Sequence, residues 1–134
     1  MKGLQSTYSD AFGNTPADLL KKIDTLKLEY KEESKFSYSE LGYVVLGQMI
    51  AKMEGKALDT VLFEILVESG MRDTKYKLSV PEYQIVPSGY HGGVTRGKPF
   101  NKIANFLGTA GNAGLFTTLD NVGKYMQLML NKGK

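Results

Sequence analysis

Residues 71–112 carry no sustained periodic pattern: Pro81, Pro87 and Pro99 interrupt them, and Gly89, Gly92, Gly93, Gly97, Gly108 and Gly111 crowd the second half. This punctuation leaves a long Gly/Pro-rich loop region with at most short strands near 83–86 and 116–117. A loop of that length in a small domain either serves a function or packs on something outside itself. The regular structure must then lie in the flanks.

The flanks read as helices. Thr15 followed by Pro16 is a cap and first helical position, and Leu19, Leu20, Ile23, Leu26 and Tyr30 recur at three- and four-residue steps, predicting a helix over 16–29 with Lys21, Lys22 and Asp24 turned outward. A second helix, over 38–54, follows the row Leu41, Val45, Met49 and Met53, widened by Val44, Leu46 and Ile50, and is expected to be mostly buried. Gly42 and Gly47 each cost about 1 kcal/mol inside it, which close approach of a neighbour would explain; Gly55 supplies the stop. Leu58, Val61, Leu62, Ile65 and Leu66 predict a third helix over 57–69, ended by Gly70. The last, over 118–131, begins with Asp120 in its first turn and is expected to bury Val122, Tyr125, Met126, Met129 and Leu130. The fold expected is mainly α, a single domain over 1–134 with at most a short β-hairpin.

Composition narrows the chemistry. A chain of 134 residues with 42% hydrophobic residues can bury a core without disulfides. The absence of cysteine removes disulfide and thiolate-metal sites, and the single histidine, His91, has no partner for a metal. No cofactor is implied. The net charge of +3 comes from lysines such as Lys21, Lys22, Lys27 and Lys31 interleaved with Asp24, Glu29, Glu32 and Glu33, a solvated face rather than a phosphate-binding stripe, so nucleic acid is not an expected partner. No apolar run approaches the ~20 residues of a membrane span, and the start lacks the apolar stretch of a signal peptide.

Neither of two catalytic patterns is met. His91 could serve a triad, but no Gly-x-Ser-x-Gly elbow presents a nucleophile. The run Gly108, Gly111, Gly114 lacks the Gly-Lys-Thr ending of a phosphate loop and reads as tight-turn packing. The segment Phe36-Ser37-Tyr38-Ser39-Glu40 admits two readings. Ser37 and Glu40 form a capping box, with Ser39 as an alternative cap and the Tyr38 ring packed beneath the first turn. Alternatively, Tyr38 is a phenol whose anion the helix N-terminus would stabilise, and a nearby lysine would make it a useful base.

Three stretches together resemble the class C β-lactamase and penicillin-binding-protein-like serine hydrolases. They are Phe36-Ser-Tyr-Ser-Glu-Leu-Gly-Tyr-Val-Val-Leu-Gly47, similar to the Tyr-x-Asn motif and its helix; Glu68-Ser-Gly-Met-Arg-Asp-Thr74, similar to Leu-Gly-Met-x-x-Thr; and Gly111-Asn-Ala-Gly-Leu-Phe-Thr-Thr-Leu-Asp120, similar to Ala-Gly-Leu-x-Ser-Thr. Gly3-Leu4 resembles the Ser-Gly-Leu that follows the nucleophile helix. The resemblance implies the helical subdomain of the serine β-lactamase/transpeptidase-like fold, with Tyr38 as the proton-transfer residue and Glu40 at the substrate-binding Asn position. It also marks departures: Glu40 stands for Asn, and Phe100-Asn101 for a His-Asp pair. No lysine has a serine three residues before it, and no Lys-Thr-Gly or His-x-Gly follows Gly114.

The chain is therefore expected to be a fragment of a larger hydrolase (β-lactamase, D-Ala-D-Ala peptidase or esterase-like), inactive alone. Its expected partners are the remainder of that fold and, for the whole protein, a β-lactam or cell-wall peptide in the envelope or outside the cytoplasm of a bacterium. The alternative is a non-catalytic module using residues 71–112 to recognise cell-wall peptide or a protein. An apolar face left by the missing partner would favour a homodimer.

Overall fold

The computed structural model describes residues 15–27, 31, 34–89 and 93–133. The 1–14 lead, Tyr30 and His91 lie outside the described residues. Among the described residues there are five α-helices: α1 (Pro16–Thr25), α2 (Glu40–Glu54), α3 (Leu58–Glu68), α4 (Lys102–Leu107) and α5 (Leu119–Leu130), with a 3-10 turn at Glu82–Gln84. Among the described residues there is no sheet, and no helix is long and apolar enough to cross a membrane.

The helix ends follow local chemistry. Thr15 caps α1 reciprocally, its hydroxyl taking the Asp18 N–H at 3.2 Å while the Asp18 carboxylate takes the Thr15 N–H at 2.9 Å. This helix stops at Thr25, short of the expected 29, because Leu26 turns extended and packs against the core. Gly55 ends α2 in the left-handed conformation that glycine adopts without strain, φ 63°.

The main core joins Leu19 and Ile23 of α1, Leu41 and Val44 of α2 and Ile103 of α4, each side chain contributing about 1.5–3 kcal/mol on burial. Helix α4 lies inside the stretch read as loop. Its six residues are too few for periodicity to register, although Asn101 as cap and Ile103, Ala104 and Leu107 as apolar row mark it in retrospect.

Three expectations need correction. The strand near 83–86 is instead the 3-10 turn after Pro81, where the Ile85 N–H returns to the Glu82 carbonyl at 3.0 Å. The strand near 116–117 amounts to one antiparallel bridge, Phe116 with Lys75, and a second such bridge joins Ser88 to Thr95. The burial expected of α2 and α5 is only partly met: Met49, Ile50 and Met53 are exposed, and on α5 Val122, Tyr125, Met126, Met129 and Leu130 all face outward while Asn121 alone is buried. Helical periodicity reports an apolar face, not what covers it, and among the described residues these side chains are left uncovered.

Gly47 is where α2 meets the 108–114 segment. A Cβ on Gly47 would lie 3.0 Å from the Gly111 Cα, and one on Gly111 would overlap the Tyr43 carbonyl oxygen. Close approach, the reason anticipated for a helical glycine, holds at Gly47. Gly111→Ala should therefore cost about 1–3 kcal/mol in urea denaturation. Gly123→Ala, on α5 with nothing within 4 Å, should gain up to about 1 kcal/mol. Equal effects at the two sites would contradict this packing.

Candidate functional site

Tyr38 sits in extended chain just ahead of α2, and its side chain is 66% exposed. The ring is therefore not packed beneath the first turn. Of the two candidate caps, Ser39 takes the role: its hydroxyl accepts the Gly42 N–H at 3.2 Å, so that Glu40 becomes the first helical residue. The phenol is left accessible beside the N-terminal end of a 15-residue helix.

Glu40 reaches across to α4. Its Oε1 accepts from Asn101 Nδ2 at 2.8 Å, while Asn101 Oδ1 accepts the Ala104 N–H at 3.1 Å and Asn112 Nδ2 at 3.2 Å. One side chain thus caps α4, ties it to α2 and fixes the Gly-rich segment. Asn112 was not singled out in the sequence; its place in the run Gly111-Asn-Ala-Gly114 was the only signal available.

The other matched stretches interlock next to this network. Tyr76 is buried and donates its hydroxyl to the Ala110 carbonyl at 2.7 Å, holding the segment at a second point beside Gly47. Met71 and Thr74 are also buried. Thr74 shares a 2.7 Å hydrogen bond with Thr117, and the buried Asn121 amide donates to Thr74 Oγ1 at 3.2 Å, which fastens the start of α5. Between α2, α3 and the 108–114 segment lies an open groove of about 480 Å³ lined by Leu46, Ile50, Leu58 and Leu62. Its walls are apolar and place no acid–base pair there. Among the described residues no three of His, Cys, Asp and Glu converge as metal ligands.

Comparison with known proteins covers nearly the whole chain. The model of a family described as Beta-lactamase matches residues 2–134. An N-acetylmuramyl-L-alanine amidase of Bacillus subtilis (strain 168) is 25% identical, over 83% of this chain and 30% of that protein. A Salmonella agona (strain SL483) protein named "Putative D-alanyl-D-alanine carboxypeptidase" is 28% identical, over 91% of this chain and 33% of its own length. Among solved structures, the D-amino acid amidase from Ochrobactrum anthropi SV3, complexed with D-phenylalanine, superposes with a TM-score of 0.62 at 18% identity, over 92% of this chain and 38% of that one. At that identity the likeness speaks for the fold. The chain spans about a third of the length of the curated relatives it matches.

Tyr76 gives this region a measurable signature. Burial, helped by the Asp59 carboxylate, pushes its phenol above the ordinary value of 10.0. A group whose folded value is raised contributes stability that is complete below the unfolded value and is lost as pH rises through the folded one. Stability should therefore hold to about pH 10 and fall above it. Tyr76→Phe should remove its share of that fall and cost about 1–2 kcal/mol by leaving the Ala110 carbonyl without its donor. Denaturation at about pH 7 and about pH 10.5 checks both, and an unchanged alkaline loss in the variant would contradict the assignment.

Proposed function

Because the chain belongs to the Beta-lactamase family, we propose that it is the helix-rich segment of a penicillin-recognising serine hydrolase and that Tyr38 is its proton-transfer residue. The observation that carries this is that Tyr38 is exposed and directly precedes the Ser39 cap, at the end of α2 whose dipole suits developing negative charge. The nucleophilic serine and its lysine come from outside these residues, since no lysine here has a serine three positions before it. In the assembled site Tyr38 takes the serine proton as the hydroxyl attacks an acyl carbon and passes it to the leaving group as its bond to that carbon breaks; water then cleaves the acyl-serine, so that one difficult acyl transfer becomes two easier steps. The relatives' names favour an amide or D-Ala-D-Ala peptide of the bacterial cell wall as substrate, and hence an envelope or extracytoplasmic location for the whole protein.

The exposed rows of α2 and α5 fit the same reading. Met49 and Met53 on one helix, and Tyr125, Met126, Met129 and Leu130 on the other, are apolar side chains at helical spacing with no cover among the described residues. The remainder of the hydrolase fold, which makes up about two thirds of the relatives' length, is the cover they are built for.

The isolated chain should neither turn over nitrocefin or p-nitrophenyl esters nor gain an acyl adduct by mass spectrometry; turnover or an adduct would overturn the assignment. In the longer protein containing this segment, Tyr38→Phe should lower kcat by about 10²- to 10⁴-fold, whereas Ser39→Ala should cost only about 1 kcal/mol of stability. An unchanged kcat for Tyr38→Phe would remove its role. In sedimentation the isolated chain should self-associate, and a Met126→Glu, Met129→Lys double variant should return it to monomer. A clean monomer of the parent chain at high concentration would count against the uncovered face.

A further inference from the structure

The hydrogen bond between Glu40 and Asn101 has a fixed direction. Asn101 Oδ1 accepts two bonds, from the Ala104 N–H at 3.1 Å and from Asn112 Nδ2 at 3.2 Å. Both need the carbonyl oxygen, so the amide cannot turn over without losing the cap of α4 and the tie to Asn112. Its NH2 group is therefore committed as a donor toward α2, and an amide nitrogen can only donate. Glu40 answers with an acceptor at 2.8 Å. Glu40 and Asn101, two of the positions that the resemblance marks as departures, are the two ends of this one bond.

We propose that Glu40 is a positioning residue: its carboxylate orients Asn101 and, through Asn101, holds Asn112 and the 108–114 segment at the end of α2 that carries Tyr38. The pair requires one acid and one amide, in either order. With the acid at position 101, a carboxylate oxygen still caps α4 and still accepts from Asn112, but position 40 must then donate. Two carboxylates at the 2.8 Å separation of this pair would set acceptor against acceptor and charge against charge. The functional weight of this arrangement rests on the reading of Tyr38 as the proton-transfer residue, while the pairing itself stands on the hydrogen bonds.

The test uses the whole chain and three variants, Asn101→Asp, Glu40→Gln and the double variant, compared by thermal unfolding near neutral pH. Asn101→Asp should lower the midpoint by roughly 5–10 °C, because it places two half-buried carboxylates together. Glu40→Gln should lower it by less, since glutamine keeps an acceptor oxygen for the Asn101 amide. The double variant should recover most of the Asn101→Asp loss, because the glutamine amide introduced on α2 then donates to the carboxylate introduced at the α4 cap. Residues acting independently would give additive losses, so additivity overturns the pairing, as does an Asn101→Asp midpoint equal to the parent's. If Asn101→Asp does not fold, the double variant decides: a cooperative transition supports the pair and its absence overturns it. None of these outcomes depends on turnover, so a failed rescue would leave the Tyr38 assignment standing, and an acyl adduct on the isolated chain would remove that assignment while leaving the pair.

Discussion

The close approach of Gly47 and Gly111 is the contact on which the packing around the candidate site depends. A helix can lie against a loop at backbone distance only where neither carries a side chain, and here a Cβ on either glycine would meet the other's backbone at about van der Waals limit or inside it. Once α2 and the 108–114 segment touch at that point, Ala110 and Asn112 on either side of Gly111 are held within reach of their partners. The Ala110 carbonyl meets the Tyr76 hydroxyl, and the Asn112 amide meets Asn101. Helix α4 is then tied to the start of α2 through Glu40. The cost of glycine inside a helix, about 1 kcal/mol, is offset by this set of directed bonds.

The three stretches that resemble the hydrolase family are, for the most part, the residues that make these contacts. Gly47 and Gly111 form the backbone contact, Met71 and Thr74 are buried, and Thr117 closes a hydrogen bond onto Thr74. Packing is thus the reason these positions carry the residues they do, within a chain that the family matches over residues 2–134. Tyr38 differs from them. It is exposed, it makes no helix cap, and burial does not explain its presence.

Periodicity and capping were legible in the sequence to within a few residues: Thr15 and Gly55 end helices as their chemistry requires, and α2, α3 and α5 fall inside the spans read from apolar spacing. What escaped was set by contacts distant in sequence. Helix α4 is stabilised by Ile103 in a core shared with Leu19 and Leu41 and by an Asn101 cap that Glu40 and Asn112 hold in place, and none of this registers within six residues. The 83–86 stretch alternates like a strand but, after Pro81, closes a 3-10 turn because no neighbouring strand exists to pair with it among the described residues. The Glu40–Asn101 pair was visible only as two separate departures from a motif. Their connection required the fold.

The later half of the α2 row (Met49, Ile50 and Met53) and the α5 row are apolar as expected but exposed where burial is expected, whereas Leu41 and Val44 of α2 are buried in the core, and the difference carries information. In a self-contained domain, burial of such rows supplies much of the driving force, and leaving Met126, Met129 and Leu130 in water forgoes it. The chain retains its shape because the core around Val44 and Ile103 and the bonds radiating from Asn101 and Thr74 do not draw on those faces. Under the proposed function, the uncovered rows and the exposed Tyr38 have one physical explanation. A segment that positions a phenol for groups supplied by another part of a fold must leave both the phenol and the docking faces open, and it must hold its own geometry with contacts that lie elsewhere. The glycine contact and the acid–amide pair are contacts of that kind.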